Sequence, residues 1–498
     1  MVSEKTPATT PDAGPVDGAA PDPRRWKALV LLCAATLSTS LSNGSIVFVA
    51  APSMAKDLAL TPSGLSWVMN AYLLSFGGLL LLGGRAADLL GRRRMFMIGG
   101  ALLAGSSLLC GLAGSGGVLI AARTLEGLAA AVITPTVLSL ITTLFREGPE
   151  RNKALGVWSA VAGIGGTTGA LLSGPITVHL GWSWIFFVNV PLVALVVALS
   201  PLVLRESYNR GRVRTLDVTG AVLSTGAMVL LVYAVINAPQ KGLSSGRTIG
   251  VLVAAGLTFA LFVAVEKRSP APLVPLHLFR STSLVGGNLV LLMIGMAVYG
   301  MGFALTQYAQ IVLGYSAMQF GLMFAVMTVL VILGSMLAGG LLVSRYGPRP
   351  VAVGGLVLIG ISSLTLTQLS VDGSFVHDML LGMVLFGPGL GAGFVAASIA
   401  SLTGITERNA GLASGLNNTA FHVGGAIGIA IMAAVALTQG KGATPPIAMT
   451  DGFSKAFIAC AIFAAVGLVA AVTLLGRPRT PQPLTTAAPA PERRDHAA

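Results

Sequence analysis

Apolar residues in this chain run in long unbroken blocks, not in the alternating or 3.6-residue stripes of a fold with one wet face. Between Ala28 and Leu475 there are fourteen such blocks, at 28–51, 64–84, 95–114, 117–144, 154–177, 182–204, 216–237, 248–266, 284–310, 319–342, 350–370, 379–402, 409–437 and 453–475. Crossing about 30 Å of hydrocarbon takes roughly 20 apolar helical residues, because a backbone polar group without a partner in lipid costs several kcal/mol. Each block therefore predicts a membrane-spanning helix. The two longest charge-free stretches, 154–204 and 281–344, are too long for one crossing. Gly181 and the turn Gly314-Tyr315-Ser316 divide them into hairpins.

The polar positions between blocks orient the chain. With the amino terminus inside, 25 Lys and Arg fall in the tails and in alternate cytoplasmic loops, and five (Lys56, Lys241, Arg247, Lys441, Lys455) fall outside. Cations concentrate on the cytoplasmic side of membrane proteins, so this split predicts an even number of spans with both tails cytoplasmic. Residues 1–26 and 477–498 are rich in Pro, Ala, Thr and charge, the composition of solvated, disordered tails. The first block exceeds a signal-peptide core and follows Arg24, Arg25 and Lys27, so it reads as an anchor.

One stretch is echoed within the chain. Residues 84–93, Gly84-Arg85-Ala86-Ala87-Asp88-Leu89-Leu90-Gly91-Arg92-Arg93, resemble residues 340–349 at an offset of 256, with Gly84/Gly340, Gly91/Gly347 and Arg93/Arg349 coinciding. The echo pairs span 2 with span 10. The predicted organisation is then a six-helix bundle over 27–204, two inserted helices over 205–270 and a second six-helix bundle over 271–476. Parallel repeats of this kind are a transporter architecture with the substrate site between the halves.

Composition supports the class. The chain is 54% hydrophobic and 10% charged with a mean hydropathy of +0.83, against roughly 25% charged in soluble domains. The net charge of +13 would suit a nucleic-acid partner if it were clustered, but it is spread over the loops, so none is expected. Cys33, Cys110 and Cys460 lie inside apolar blocks without metal-ligand or disulfide spacing. No GxxxxGK[ST] segment and no nucleophile with a matching base is present, so neither an ATP-driven pump nor an enzyme is indicated, and no cofactor or metal is expected.

Five motifs, in order, resemble the major facilitator superfamily, and specifically its fourteen-span drug:proton antiporter family. They are the 84–94 loop after span 2; Arg123-Thr124-Leu125-Glu126-Gly127 in span 4; Trp182 to Pro191 in span 6; Pro272 to Arg280 before span 9; and Ala410 to Thr419 opening span 13. The resemblance implies an all-α membrane protein with the facilitator fold, two six-helix bundles and an inserted pair. It also implies export of drugs or other amphipathic organic compounds against protons across the bacterial inner membrane, by a monomer working in the lipid bilayer. A nutrient symporter or facilitated carrier on the same fold, and a non-transporting membrane sensor, are the alternative readings.

Each motif has a physical reading. Asp88 can accept charge-assisted hydrogen bonds from Arg92 or Arg93, and Gly84 and Gly91 allow close backbone approach, so the loop is a candidate gate locking the two bundles. Its plainer role is to set topology. Arg123 and Glu126, three apart, share one helix face, and each costs roughly 2.5–3.5 kcal/mol near mid-membrane, so both should face the interior or a wet cavity. They form either a proton-coupling site or a permanent ion pair.

Departures from the family pattern sharpen the choice. Asn43 stands where family members carry a span 1 acid, and Glu126 where they carry glutamine, so the expectation is that Glu126 takes over proton exchange beside Arg123. His422 in span 13 is a second titratable candidate, with a neutral hydrogen-bonding role as its alternative. Span 5 carries Gly163, Gly166 and Gly169, which resemble the family's antiporter motif, although Ala170 and Ser173 depart from it. Candidate cavity residues are Asn43, Asn70, Tyr72, Trp158, Asn288, Tyr299, Gln307, Asn417, Asn418 and Phe421. Apolar and aromatic walls with a few amides suit a neutral or weakly basic amphipathic ligand.

Overall fold

The structure, a computed structural model, describes residues 23–43, 45–145, 148–207, 217–241, 245–269, 272–405, 407–437 and 445–476. Among these residues there is no β-strand. The first eight helices are α1 (Arg25–Ser42), α2 (Ser45–Asp57), α3 (Pro62–Leu90), α4 (Arg92–Gly111), α5 (Gly116–Leu144), α6 (Pro149–His179), α7 (Trp184–Phe187) and α8 (Asn189–Val203). Then come α9 (Val218–Lys241) and α10 (Gly246–Arg268). The remainder are α11 (Thr282–Gln307), α12 (Ala317–Leu337), α13 (Val343–Tyr346), α14 (Pro348–Thr365), α15 (Leu380–Leu402), α16 (Glu407–Leu437) and α17 (Pro445–Leu474). The predicted tails at 1–22 and 477–498 lie outside the described residues.

The described residues of every apolar block lie on one helix or on consecutive helices. The helices outrun the blocks where a polar cap extends them. α3 begins at Pro62 because the Thr61 hydroxyl accepts the Gly64 N–H at 3.1 Å, and α12 is opened by a capping box between Ser316 and Gln319. Three turns need backbone that L side chains resist: Gly91 (φ 103°), Gly181 (φ 92°) and Gly314 (φ 70°). Gly347 (φ 82°) ends α13 as Gly91 ends α3, so the sequence echo is also a conformational one.

Among the described residues, twelve helical stretches are long and apolar enough to cross a membrane, and α1 with α2, bent by 43°, makes a thirteenth if counted as one. α6 has the length, with 31 residues, but is not among them; its middle is rich in Gly, Ser and Thr. Across α10 a row of apolar residues including Ile249, Val253, Leu257 and Phe259 is about half exposed, as a lipid-facing helix requires.

Packing sorts the helices into two groups. α3, α4 and α5 pack together, with α1 on α6 and α8 on α4; in the second group α11 lies against α16 and α17, and α14 and α12 against α15. The α9–α10 pair docks through α9 onto the seam where α3 of one group meets α16 of the other. Close approach is bought with glycine: a Cβ on Gly127 of α5 would collide with the Tyr72 carbonyl, and one on Gly83 of α3 with that of Ala131. The glycine-rich 387–393 run of α15 is likewise a packing surface, since side chains there would meet the backbones of Gly355, Met327 and Val331. Gly127→Val is therefore expected to lower stability by on the order of 3 kcal/mol, read as an earlier thermal melt in detergent; wild-type melting would contradict the close α3–α5 contact.

Candidate functional site

The site is built around the break in the first span. α1 ends at Ser42 and α2 begins at Ser45, so backbone carbonyls at the end of α1 lose their helical donors. The Ser42 carbonyl is taken by Arg123 Nη1 of α5 at 2.9 Å. The same guanidinium donates from Nε to the Val68 carbonyl at 3.3 Å and lies 4.5 Å from the centre of the Tyr72 ring. Its charge is met by Glu126, Nη1 to Oε2 at 2.6 Å. Glu126 Oε1 accepts from the hydroxyls of Ser42 and Ser107, each at 2.9 Å. Asn189 Nδ2 of α8 donates to the Ser42 hydroxyl at 3.1 Å. Arg123 is 1% exposed and Glu126 0%, so this is a sealed ion pair, held by serine hydroxyls and backbone carbonyls and facing the protein interior.

Next along the chain is Asn43, and it faces the other way. It lines a cavity of about 240 Å³ between the two helix groups, with Ser40, Phe48 and Ala162 on one wall and Val298, Tyr299, Phe324, Met327, Thr328, Val331, Leu390 and Phe421 on the other. Among the described residues, no charged side chain lines it. Phe421 stacks edge-on to Tyr299 and Phe394 with ring centres 5.6 and 5.0 Å apart. The Tyr299 hydroxyl donates to Asn43 Oδ1 at 3.1 Å and contacts His422 Nδ1 at 3.3 Å, a polar chain that crosses from one group to the other. Behind it, the His422 ring packs 4.5 Å from Phe76.

The sequence profile of the Major Facilitator Superfamily matches residues 32–342 and 288–495. The chain belongs to the Major Facilitator Superfamily. Among superfamily members it is 37% identical to the puromycin resistance protein pur8 of Streptomyces alboniger over 480 residues, covering 94% of this chain and 95% of that one. It is 37% identical to the cephamycin export protein CmcT of Amycolatopsis lactamdurans, covering 88% and 90%. Solved facilitator structures share the fold. The nucleoside transporter NupG aligns with a TM-score of 0.65 at 11% identity over 90% of this chain and all of its own. A bacterial homologue of the lysosomal transporter Spinster aligns at 0.65 and 17%, over 92% and 98%. This superfamily member is a transporter and not an enzyme, and its place is the bacterial plasma membrane, which it crosses many times.

Of the cavity residues expected for this superfamily member, Asn43, Tyr299 and Phe421 line the cavity. Tyr72 instead lies against Arg123, and Trp158 donates to Thr36 between α6 and α1. Asn417 ties α16 to Ser401 of α15, while Asn288 and Asn418 bond back to the carbonyls of Leu284 and Ser414 on their own helices. Asn70 and Gln307 are buried outside the lining. Asp88 and Arg92 form the expected pair at 3.0 Å, but Arg92 continues to Ser139 and Thr143 of α5, so the pair braces the first group. The backbone N–H groups of Arg93 and Arg94 are capped by Glu206. Gly84 faces Pro135, and Gly169 is buried on α6; the surroundings of Gly163 and Gly166 lie outside the described residues. Sequence reasoning missed Ser42 and Ser107, whose role depends on a partner 84 and 19 residues away, and the phenylalanines Phe48 and Phe324, which look like any lipid-facing ring.

Removing one member of a buried pair leaves the other charge uncompensated, at about 3–5 kcal/mol, whereas replacing both with apolar groups is far milder. Glu126→Ala should melt well below wild type in detergent, and Arg123→Met combined with Glu126→Leu should recover most of the loss. A double variant as unstable as the single one would contradict the pairing.

Proposed function

We propose that this protein is a fourteen-span exporter that moves antibiotics or similar amphipathic organic compounds out of the cell against an inward flow of protons, by alternating access. In this reading α1 with α2, α6, and α7 with α8 are spans 1, 5 and 6, both tails are cytoplasmic, and two six-span lobes (27–204 and 271–476) rock about the cavity, with 205–270 inserted between them. The protein acts as a monomer. The observation that carries the reading is the cavity itself: an aromatic, uncharged hollow between the helix groups, with a few hydrogen-bonding groups to orient a ligand. The identity to resistance and export proteins along nearly the whole chain supports the outward direction.

Proton exchange is assigned to Glu126. Its carboxylate grips both Arg123 and the Ser42 hydroxyl at the end of α1, one residue from Asn43, which holds Tyr299 across the cavity. Neutralising the carboxylate frees the guanidinium and loosens the α1–α2 break, and with it the contact between lobes. In the present arrangement Glu126 does not line the cavity, so its exchange with water belongs to another stage of the cycle, when the break has opened. His422 then serves as a hydrogen-bonding partner of Tyr299, not as the proton carrier. Moving one charge through roughly 150 mV releases about 3.5 kcal/mol, enough for a gradient on the order of 300-fold.

In everted vesicles, Glu126→Gln should reduce substrate accumulation driven by an imposed pH gradient to the passive level while purified protein still binds substrate. Proton-driven accumulation at the wild-type rate by this variant would remove Glu126 from the mechanism.

A further inference from the structure

Away from the cavity, three parts of the chain meet in a second buried charge cluster. From α3 comes Arg85, whose Nη2 donates to the carbonyl of Pro272. From the α9–α10 pair come Asp217, just before α9, and Glu266, in the last turn of α10; they are 8% and 2% exposed. Both carboxylates lie against Gly220 of α9, and Glu266 meets the lead-in to α11 two residues from the carbonyl that Arg85 holds. The lead-in to α11 contributes Pro272 and Val274, whose N–H donates to Glu266 Oε1. Asp217 Oδ1 accepts the Gly220 N–H at 2.8 Å, while Asp217 Oδ2 and Glu266 Oε2 have no hydrogen-bond partner. Leu273, Val274 and Leu278 of the lead-in are buried with Leu284 of α11, Ala413 and Leu416 of α16 and Ala221 of α9, and Leu79, Leu81 and Leu82 of α3 pack against the same cluster.

The geometry has a consequence for the gate. Asp88 and Arg92 brace helices of the first group, as described above, whereas Arg85 of the same motif reaches the second. It does so directly at the Pro272 carbonyl, beside two helices that otherwise show an exposed apolar face to their surroundings. We propose that Arg85, oriented by Asp217 and Glu266, is the tie between the two helix groups at this end of the molecule, and that the α9–α10 pair is a positioning element for that tie. The pair delivers two buried acids beside a partly buried guanidinium, which their charge attracts. The held guanidinium then grips a backbone carbonyl of the segment leading into α11. Its use in the transport cycle rests on the export reading; the tie itself does not.

The alternative to a tie is neutralisation alone, with Arg85 present only to make two buried acids tolerable. A charge-matched substitution separates the two. Arg85→Gln removes the tie and leaves both acids unopposed, whereas Arg85→Gln with Glu266→Gln removes the tie but restores the net charge of the cluster. Arg85→Lys keeps a cationic donor. The readout is the spread of distances, by double electron–electron resonance in lipid nanodiscs, between spin labels introduced by Arg94→Cys and Tyr346→Cys. These exposed positions lie on the two helix groups, and the native Cys33, Cys110 and Cys460 are all buried.

A tie predicts a distribution shifted and broadened in both Gln variants and close to wild type in Arg85→Lys. In vesicles, the same Gln variants should export roughly tenfold more slowly at an unchanged half-saturating concentration. A charge-matched double variant with wild-type distances and transport would overturn the proposal, because neutralisation would then account for Arg85. If Arg85→Gln alone does not fold, the double variant carries the test. Export is measured on the wild type in parallel, so a chain that shows the tie but moves no drug would sink the proposed function and leave this inference standing.

Discussion

A guanidinium and a carboxylate sealed among apolar helices must be paired and fully hydrogen-bonded, and that requirement governs the centre of this molecule. One acceptor comes from a place that a continuous span does not leave free. The Ser42 carbonyl is available to Arg123 because α1 stops there, and the Ser42 hydroxyl is turned to Glu126 at the same point. The broken helix and the buried pair therefore stabilise each other. A break without the pair would leave a carbonyl unsatisfied, and a pair without the break would lack two of its bonds.

From that junction two faces of one short segment look in opposite directions. Ser42 belongs to the ion pair and Asn43 to the cavity, one peptide unit apart. Asn43 keeps the cavity free of fixed charge and lends an acceptor to Tyr299. The contacts divide the labour: the Arg123–Glu126 pair is kept inside the first helix group, and the hollow between groups is left to rings, hydroxyls and the Asn43 amide.

Much of this was legible in the sequence because it is local. A glycine at a reversal and the three-residue spacing of Arg123 and Glu126 are decided within a turn or two of helix, and the turns at Gly181 and Gly314 and the Arg123–Glu126 pair appear as expected. The lining of the cavity was legible only in part. Asn43 and Asn417 are the same residue type in similar apolar surroundings, yet one meets the hollow and the other a serine on the neighbouring helix, because helix rotation is set by packing. Glycines at Gly83, Gly127 and Gly174 decide that packing through contacts with distant backbones, which no local pattern encodes. The loop motif shows the same limit: its Asp88–Arg92 pair follows from spacing, whereas the reach of Arg85 depends on where the inserted helices dock.

The central claim is that the charge on Glu126 is coupled to occupancy of the cavity through the break in the first span. The direct measurement is proton release on substrate binding, followed with a pH indicator in weakly buffered purified protein. The account predicts that substrate displaces protons from the wild-type protein and none from Glu126→Gln. Release of the same size from both proteins, or binding with no release from the wild type, would contradict it.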